Sequence, residues 1–426
     1  MEKNNNISSS SLQTKLGETN DKRNRSLERV LCDFTDDLWI EVLLRLPLKP
    51  LIQFKSVSKS WFSIIPSHHF AKSHLHRAIT SGEDHETLII HHHPELDEDD
   101  DDYDVNVDEV KDGPYFLSHL SSCKIFEHLG SPYSQSEYPF EPQYSTIVGC
   151  DCGIVCVSVD VSNSHAANKE GDIYLWNPPA KLSKLIPPPS IVEGVRLVTA
   201  LGFGFDHIGL DFKVVKVASH TFSAKVYSSN NASRTFSAEV YSSNTDAWRK
   251  IEPKPIDVPI DHTFHVCLHG FLLTSGHKGM MAFDLNKEVF ICNIKLPVAV
   301  GPVEACIADF NDSISVCIYN KLDDKLKLWT LDDEACLRGG GVEVSWTIKL
   351  NIEVGWEPFD HVKGLFNSVE FLLVDEESDW FFYNFYKKEI CGLNGYTDIF
   401  RYTKSLFSIV GSKPVKWTAS SSILLD

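Results

Sequence analysis

The sequence predicts a small α-helical module followed by a large all-β domain, a β-propeller of roughly six or seven blades. Three observations lead there. Apolar residues recur at helical spacing from Asp36 to Ile65, and no long helical period follows beyond residue 80. After that point, runs of β-formers are separated by Gly, Pro, Asn and Asp. Those runs carry an aromatic residue that returns every 40–55 residues or so, the spacing of a propeller blade.

The helical stretch comes first. Asp36 and Asp37 suit a helix start by capping and by charge. Leu38, Val42 and Leu46 then recur at i, i+4 and i+8, flanked by Trp39, Leu43 and Leu44. Pro47 stops that helix, and Leu48 to Phe54 opens another after a short turn. Ser58 can cap a third segment, in which Trp61, Ile64 and Ile65 share a face. Three short helices cannot bury this much apolar surface among themselves, so the surplus predicts a partner. The alternative is a helical hairpin packed onto its own chain.

Leu38, Val42, Leu43, Arg45, Leu46, Pro47, Lys49, Leu51, Phe54, Lys55, Val57, Lys59 and Trp61 form a run that resembles the F-box. The resemblance covers roughly residues 33–77. It implies docking on a Skp-type linker subunit through Leu38, Val42, Leu43, Leu46, Pro47, Leu51, Val57 and Trp61, and through that subunit to cullin and RING subunits. Phe34-Thr35 stands where the family has Leu-Pro, and Gln53 where it often has Arg. The first departure removes a proline that would open the first helix.

In the β region, Ile173-Tyr-Leu-Trp176-Asn177-Pro178 leads to Leu185-Ile-Pro187, and Glu239-Val-Tyr241 leads to Trp248. Met281-Ala-Phe283-Asp284 leads to Leu296-Pro297, and Lys327-Leu-Trp329 to Trp346. The anchors Tyr241, Phe283, Trp329 and Tyr383 are 42, 46 and 54 residues apart. The interval from Trp176 to Tyr241 is longer because residues 221–230 recur as 235–244 with nine of ten positions identical. A local tandem duplication has lengthened that repeat. One copy is expected to form the blade strand and the other to extend a hairpin or loop. An irregular β-sandwich is the competing arrangement.

The same region resembles the plant F-box-associated domain of kelch-like type, through motifs whose order is more specific than any one of them. These are Gly149-Cys-Asp-Cys-Gly-Ile-Val-Cys156, Leu175-Trp-Asn-Pro178, Gly202-Phe-Gly-Phe-Asp206, Glu239-Val-Tyr-Ser242 with Trp248, His269-Gly270 and Phe283-Asp-Leu285. Ser73-His-Leu-His-Arg77 and the acidic insert give a weaker similarity to the S-locus F-box group. The expected organisation is a disordered tail over 1–32, an F-box over 33–80 and a propeller over 82–424, with a disordered acidic loop over 94–113.

Composition narrows the partners. The formal net charge of -19 argues against a nucleic-acid or anionic-membrane surface. Glu95 to Glu109 holds ten acids in fifteen residues, too much like charge to bury. The eleven cysteines lack a secreted-domain pattern, and the N-terminal stretch has no apolar signal core. A cytoplasmic or nuclear location is therefore expected.

Catalytic motifs are not found: no G-x-S-x-G, no H-E-x-x-H and no phosphate-binding loop. Cys150, Cys152 and Cys156 share a strand face, but no fourth ligand lies nearby in sequence. His265, Cys267 and His269 share another, beside what reads as an ordinary hairpin, and His91 to His93 are expected at the surface. No metal and no cofactor are predicted. Asp206 and Asp284 are expected to cap turns. The two resemblances together imply a substrate-recognition subunit of a Skp–cullin–F-box ubiquitin ligase that captures a protein substrate and is not itself an enzyme. A propeller scaffold without ligase function and a propeller enzyme are the alternatives.

Overall fold

The computed structural model describes residues 36–81, 87–92, 115–119, 125–133, 144–160, 171–190, 197–220, 235–252, 264, 266–276, 279–298, 305–320, 324–338, 343–354, 359–366, 369–375, 380–393 and 396–415. The chain divides into two compact units, residues 1–77 and 78–426. The expected N-terminal tail, the acidic loop and the first copy of the tandem duplication lie outside the described residues.

The helical unit contains α1 (Asp36–Leu43), α2 (Leu48–Phe54), α3 (Lys59–Ile64) and the start of α4 (His68–Ser81). Pro47 takes the N-cap position of α2 with an extended backbone. Ser58 caps α3, its hydroxyl accepting the Trp61 N–H at 3.1 Å. The fourth helix is the feature that the three-helix reading missed. It brings Phe70, Ala71 and Leu75 to join Leu43, Leu48, Leu51 and Ile65 among the buried residues. Its His74 Nε2 donates to the Leu46 carbonyl at 3.0 Å, so α4 also satisfies the open end of the α1 turn.

The second unit is all-β, and every strand pairing within its sheets is antiparallel. Four sheets run in simple sequence order: β8 (Leu197–Asp206) to β11 (Ala247–Ile251), β12 (Val266–Leu268) to β15 (Val289–Ile294), β16 (Cys306–Asp309) to β19 (Trp346–Glu353), and β20 (Phe359–Leu365) to β23 (Glu389–Leu393). A fifth four-stranded sheet joins the two ends of the domain. There β24 (Tyr396–Arg401) pairs with β1 (Thr87–His92), followed by β2 (Tyr115–His119) and β3 (Ile125–His128). The last sheet has five strands, β4 (Tyr144–Asp151), β5 (Ile154–Asp160), β6 (Asp172–Asn177) and β7 (Leu182–Leu185), with β25 (Lys413–Pro414) added at its edge. Roughly six or seven like blades were expected; the described residues instead form five four-stranded blades and one five-stranded sheet. The propeller class stands.

The repeated aromatic marks one place in the blade. Trp176, Tyr241, Phe283, Trp329 and Tyr383 lie on β6, β10 (Thr235–Ser242), β14 (Gly279–Asp284), β18 (Lys325–Leu331) and β22 (Trp380–Asn384), the third strand of each sheet. Four of the following turns share a geometry. Lys181, Asp246, Glu288 and Lys388 each take a positive φ of 53–56° just before the fourth strand. In three of them a side chain at the strand end caps the turn: Asn177 accepts from Ala180 N–H, Asp284 from Asn286 and Lys287, and Asn384 from Lys387. The fourth strand then supplies a clamp to the preceding sheet. Trp248 Nε1 donates to the Pro187 carbonyl at 2.6 Å, and Trp346 Nε1 to the Lys295 carbonyl at 2.8 Å. Each acceptor lies in or beside the Ile-Pro or Leu-Pro that follows a fourth strand, which explains why Trp and Pro return with the same period.

Glycines in Gly202-Phe-Gly-Phe-Asp206 answer to close packing rather than to phosphate. A Cβ on Gly202 would stand 2.9 Å from Leu272 and Phe264 side-chain atoms, and one on Gly204 would collide with Cys267 Sγ. One expectation is corrected outright. His91 is 1% exposed: β1 pairs with β2 on one side and β24 on the other and is buried from Thr87 to His91, and this side chain lies against Tyr115, where it meets the Ser145 hydroxyl at 2.9 Å.

Candidate functional site

The helical unit divides the predicted linker-binding residues into two sets. Leu38, Val42 and Val57 are exposed, at 49%, 44% and 62%. Pro47 is exposed, and Leu46 and Trp61 are half-buried. Leu43 and Leu51 are buried, at 1% and 0%, inside the unit itself. Those two leucines cannot face a partner in this conformation; they hold α1 and α2 in place beneath the surface that can. The helical period that put Leu38, Val42 and Leu46 on one stripe, and the resemblance that supplied the rest of the set, could not tell which rows α4 would cover.

Trp61 rests against Trp39 and Phe54, with ring centroids 5.5 and 5.4 Å away. This aromatic group props α3, and Phe62 beside it is 65% exposed. Phe62 is a member of the exposed apolar set that sequence reasoning missed. Its signal was available: α3 is six residues long with no fully buried residue, so its aromatics had to meet solvent or a partner. Leu38 and Val42 lie one turn apart on α1. Exposed side chains of this size on so small a unit are a surface suited to burial against another protein.

In the propeller, the carboxylates predicted to cap turns do so. Asp206 Oδ1 accepts from Ile208 N–H at 3.0 Å and Gly209 N–H at 2.9 Å. Its Oδ2 receives the Lys213 ammonium at 3.1 Å, and Lys213 reaches on to the Leu285 carbonyl at 2.6 Å and Glu288 at 3.0 Å. Burial works against the Asp206 charge. The Gly209 N–H, the Lys213 ammonium, the Ile208 N–H and the Asn286 amide together still hold its carboxyl below the usual carboxylate range. This network joins the β8–β9 turn to the β14–β15 turn and is structural. The His91–Ser145 contact is closed to solvent as well, both residues being buried.

Three potential metal ligands converge at the end of β4 and the β8–β9 turn: Asp151, Cys152 and His207 have ligand atoms within 4.8 Å of one another. Spacing along the β4–β5 segment alone does not show this group, since His207 comes from the β8–β9 turn. Cys156 is buried and Cys150 is half-buried against the hydrophobic core. His269 lies between Asp312 and Glu334, while His262 and His265 lie outside the described residues.

Comparison with known families agrees with this architecture. Residues 31–73 match the F-box domain, and residues 105–413 match the F-box associated beta propeller domain. The chain belongs to the F-box proteins that carry an F-box-associated β-propeller. Among relatives, an F-box/kelch-repeat protein of Arabidopsis thaliana is 30% identical over 191 residues, covering 44% of this chain and 45% of that protein. A second Arabidopsis F-box protein is 23% identical over 304 residues, 70% of this chain and 63% of the relative. The matches thus span less than two thirds of either relative. The F-box protein CPR1 of the same plant is 23% identical over 346 residues, 69% of this chain and 72% of its own. Among solved structures, an oligogalacturonate lyase from Vibrio parahaemolyticus superposes with a TM-score of 0.34 at 10% identity, covering 66% of this chain and 70% of the lyase. A likeness that slight carries no argument. No helix among the described residues is long and apolar enough to cross a membrane.

Proposed function

We propose that this chain is a substrate-recognition subunit of a Skp–cullin–F-box ubiquitin ligase. The helical unit docks on the Skp-type linker, and the propeller holds a protein substrate. The observation that carries the reading is the exposed set Leu38, Val42, Val57 and Phe62 on a unit that matches the F-box domain, in one chain with a matching propeller domain. Leu46, Pro47 and Trp61 complete that surface, with Leu43 and Leu51 supporting it from below.

In this role the chain forms and breaks no bond. It raises the effective concentration of a substrate beside ubiquitin-loaded enzyme brought by cullin and RING subunits. The location that goes with that role is the cytoplasm or nucleus, where the cysteines stay reduced. We also infer that the five-stranded sheet is the sixth blade of the ring, with β25 as an addition outside β7.

The test is reconstitution. The full chain is expected to co-purify with a Skp-type linker and, with cullin and RING subunits, to support ubiquitination of proteins held by the propeller. Val42→Asp combined with Leu38→Asp should abolish both while leaving the β circular-dichroism signal unchanged. Linker binding without any ubiquitin transfer would favour a scaffold, and no linker binding at all would overturn the reading.

A further inference from the structure

The turn between β4 and β5 has an unusual occupant. Cys152 and Gly153 both take positive φ, 49° and 73°, as a two-residue hairpin turn of this kind requires. Asn, Asp and Gly favour the first position; a cysteine there works against its own backbone preference. The turn is held rigidly. The Cys152 carbonyl accepts from the Ser405 hydroxyl at 2.5 Å, and the Gly153 carbonyl from the Tyr402 hydroxyl at 3.3 Å. A Cβ on Gly153 would come within 2.6 Å of the Thr403 carbonyl oxygen. Local preference has been set aside here to aim one thiol, which is the pattern expected at a functional position.

Other donors approach from the next two sheets. His207 begins the β8–β9 turn, which Asp206 caps, and its ring meets Phe205 edge-on at 5.1 Å. Cys267, on β12, fits where Gly204 leaves out a side chain. Asp151 lies among them. Its Oδ2 accepts the Phe205 N–H at 2.8 Å, and the carboxylate also meets the thiols of Cys152 and Cys267. A carboxylate has lone pairs to spare after one such bond.

We propose that Asp151, Cys152 and His207 form a site for zinc or a similarly thiophilic divalent cation, its fourth position open to water, with Cys267 behind Asp151 and outside the ligand set. One sulfur, one imidazole and one carboxylate suit zinc in softness, and suit magnesium or calcium poorly. Ligand atoms around zinc stand about 3.5 Å apart, given bonds of about 2.0–2.3 Å. Those of Asp151, Cys152 and His207 lie within 4.8 Å of one another, close enough for side-chain rotation by exposed His207 to bring them to that spacing. The bound ion would tie the β4–β5 turn to the β8–β9 turn at one end of the propeller.

The experiment is a cobalt(II) titration of the full chain, stripped by chelator and kept reduced. One equivalent should give a thiolate-to-cobalt charge-transfer band and the visible bands of tetrahedral cobalt, both displaced by zinc. Cys152→Ser should abolish the charge-transfer band, whereas Cys267→Ser, which leaves the one thiolate ligand in place, should keep it. His207→Ala, in an exposed turn that tolerates change, should keep the charge-transfer band and alter the visible bands. Cys391→Ser, on β23, should leave every band in place. No thiolate band in the unaltered chain would overturn the site. So would a band that survives Cys152→Ser, or visible bands unchanged by His207→Ala. If Cys152→Ser does not fold, the His207 variant decides the matter.

Discussion

The helical unit and the propeller treat apolar surface in opposite ways. In the propeller each sheet covers the faces of its neighbours, and β24 pairs with β1 so that the two ends of the domain share one sheet. Its large exposed hydrophobics are scattered, some in turns, as with Ile208, Tyr386 and Val410, and some at strand positions, as with Leu185, Val289 and Ile348. The helical unit has four short helices and buries only one side of them. Leu38, Val42, Val57 and Phe62 stay outside. One region is closed by its own repetition; the other has its hydrophobic surface left unfinished. Substitutions should therefore reduce stability in the propeller and association in the helical unit.

The largest effect is expected where closure depends on charge. Lys213 is 5% exposed and ties Asp206, Glu288 and the Leu285 carbonyl. Lys213→Met leaves Asp206 buried without its cation and should cost about 3–5 kcal/mol, read by chemical denaturation. Asp206 also sets a pH dependence. Its carboxyl is held low, so its contribution is complete above the unfolded value of about 3.9 and is lost as pH falls through the lower folded value. The stability difference between Lys213→Met and the unaltered chain should shrink in that acid range. A difference constant down to pH 2 would remove charge from the explanation.

A smaller loss is expected at the clamp between sheets. Trp248 is half-buried, its ring 5.6 Å from Tyr241, and its indole N–H holds the Pro187 carbonyl. Trp248→Ala should cost about 2–4 kcal/mol, toward the lower part of the range for large aromatic deletions because part of the ring meets solvent. Trp248→Phe, which removes chiefly the hydrogen bond, should cost about 1 kcal/mol. Equal costs for the two would assign the effect to the inter-sheet bond rather than to packing, and a Trp248→Phe cost near zero would assign it to packing. Neither variant should change linker affinity.

The contrast sharpens on the other side with Val42→Ala and Leu38→Ala. Each should weaken linker binding by about 1–2 kcal/mol in calorimetry, as truncation at an apolar contact does. Unfolding should move by less than about 0.5 kcal/mol, because both side chains are exposed. Leu43→Ala should do the reverse first, costing about 2–4 kcal/mol of stability before any effect on the partner. If Leu43→Ala weakened binding with the fold intact, the division between supporting and contacting residues would fail.

How much of this was legible depends on whether the signal was local. The α1–α3 pattern and the Ser58 cap could be read because helix faces and caps act within a few residues. The blade period could be read because the aromatic on the third strand, its turn and the Trp that follows lie close together in sequence. The number of strands in the sheet that ends in β25 could not, since Lys413 pairs with Ser183 across the whole domain. The same holds for Cys267 beside Gly204 and for Asn177, whose amide holds the Ser405 and Phe407 carbonyls. His91 was misplaced for a different reason. Three consecutive histidines before an acidic run look solvated, yet His91 belongs to β1, whose described side chains from Thr87 to His91 are all buried.

The smallest expected effect concerns His269, where two neighbouring sheets meet through charge at the surface. It takes a positive φ of 52° in the β12–β13 turn. Its Nδ1 meets Glu334 at 2.5 Å and its Nε2 meets Asp312 at 2.9 Å, with Arg338 4.0 Å from Glu334. Partial burial opposes the imidazolium, but Glu334 and Asp312 outweigh it and raise the pKa above the ordinary histidine value. A raised folded value gives stability that is fully present below the unfolded pKa of about 6.5 and is lost as pH rises through the folded one. Asp312 is 84% exposed, so screening keeps the contribution below about 1 kcal/mol. His269→Gln should thus lower the melting temperature by a degree or two at pH 5.5, and by progressively less as the pH is raised above neutrality. Added salt should shrink the low-pH difference. A difference that grew with pH would mean that the neutral ring, not its charge, holds these turns together.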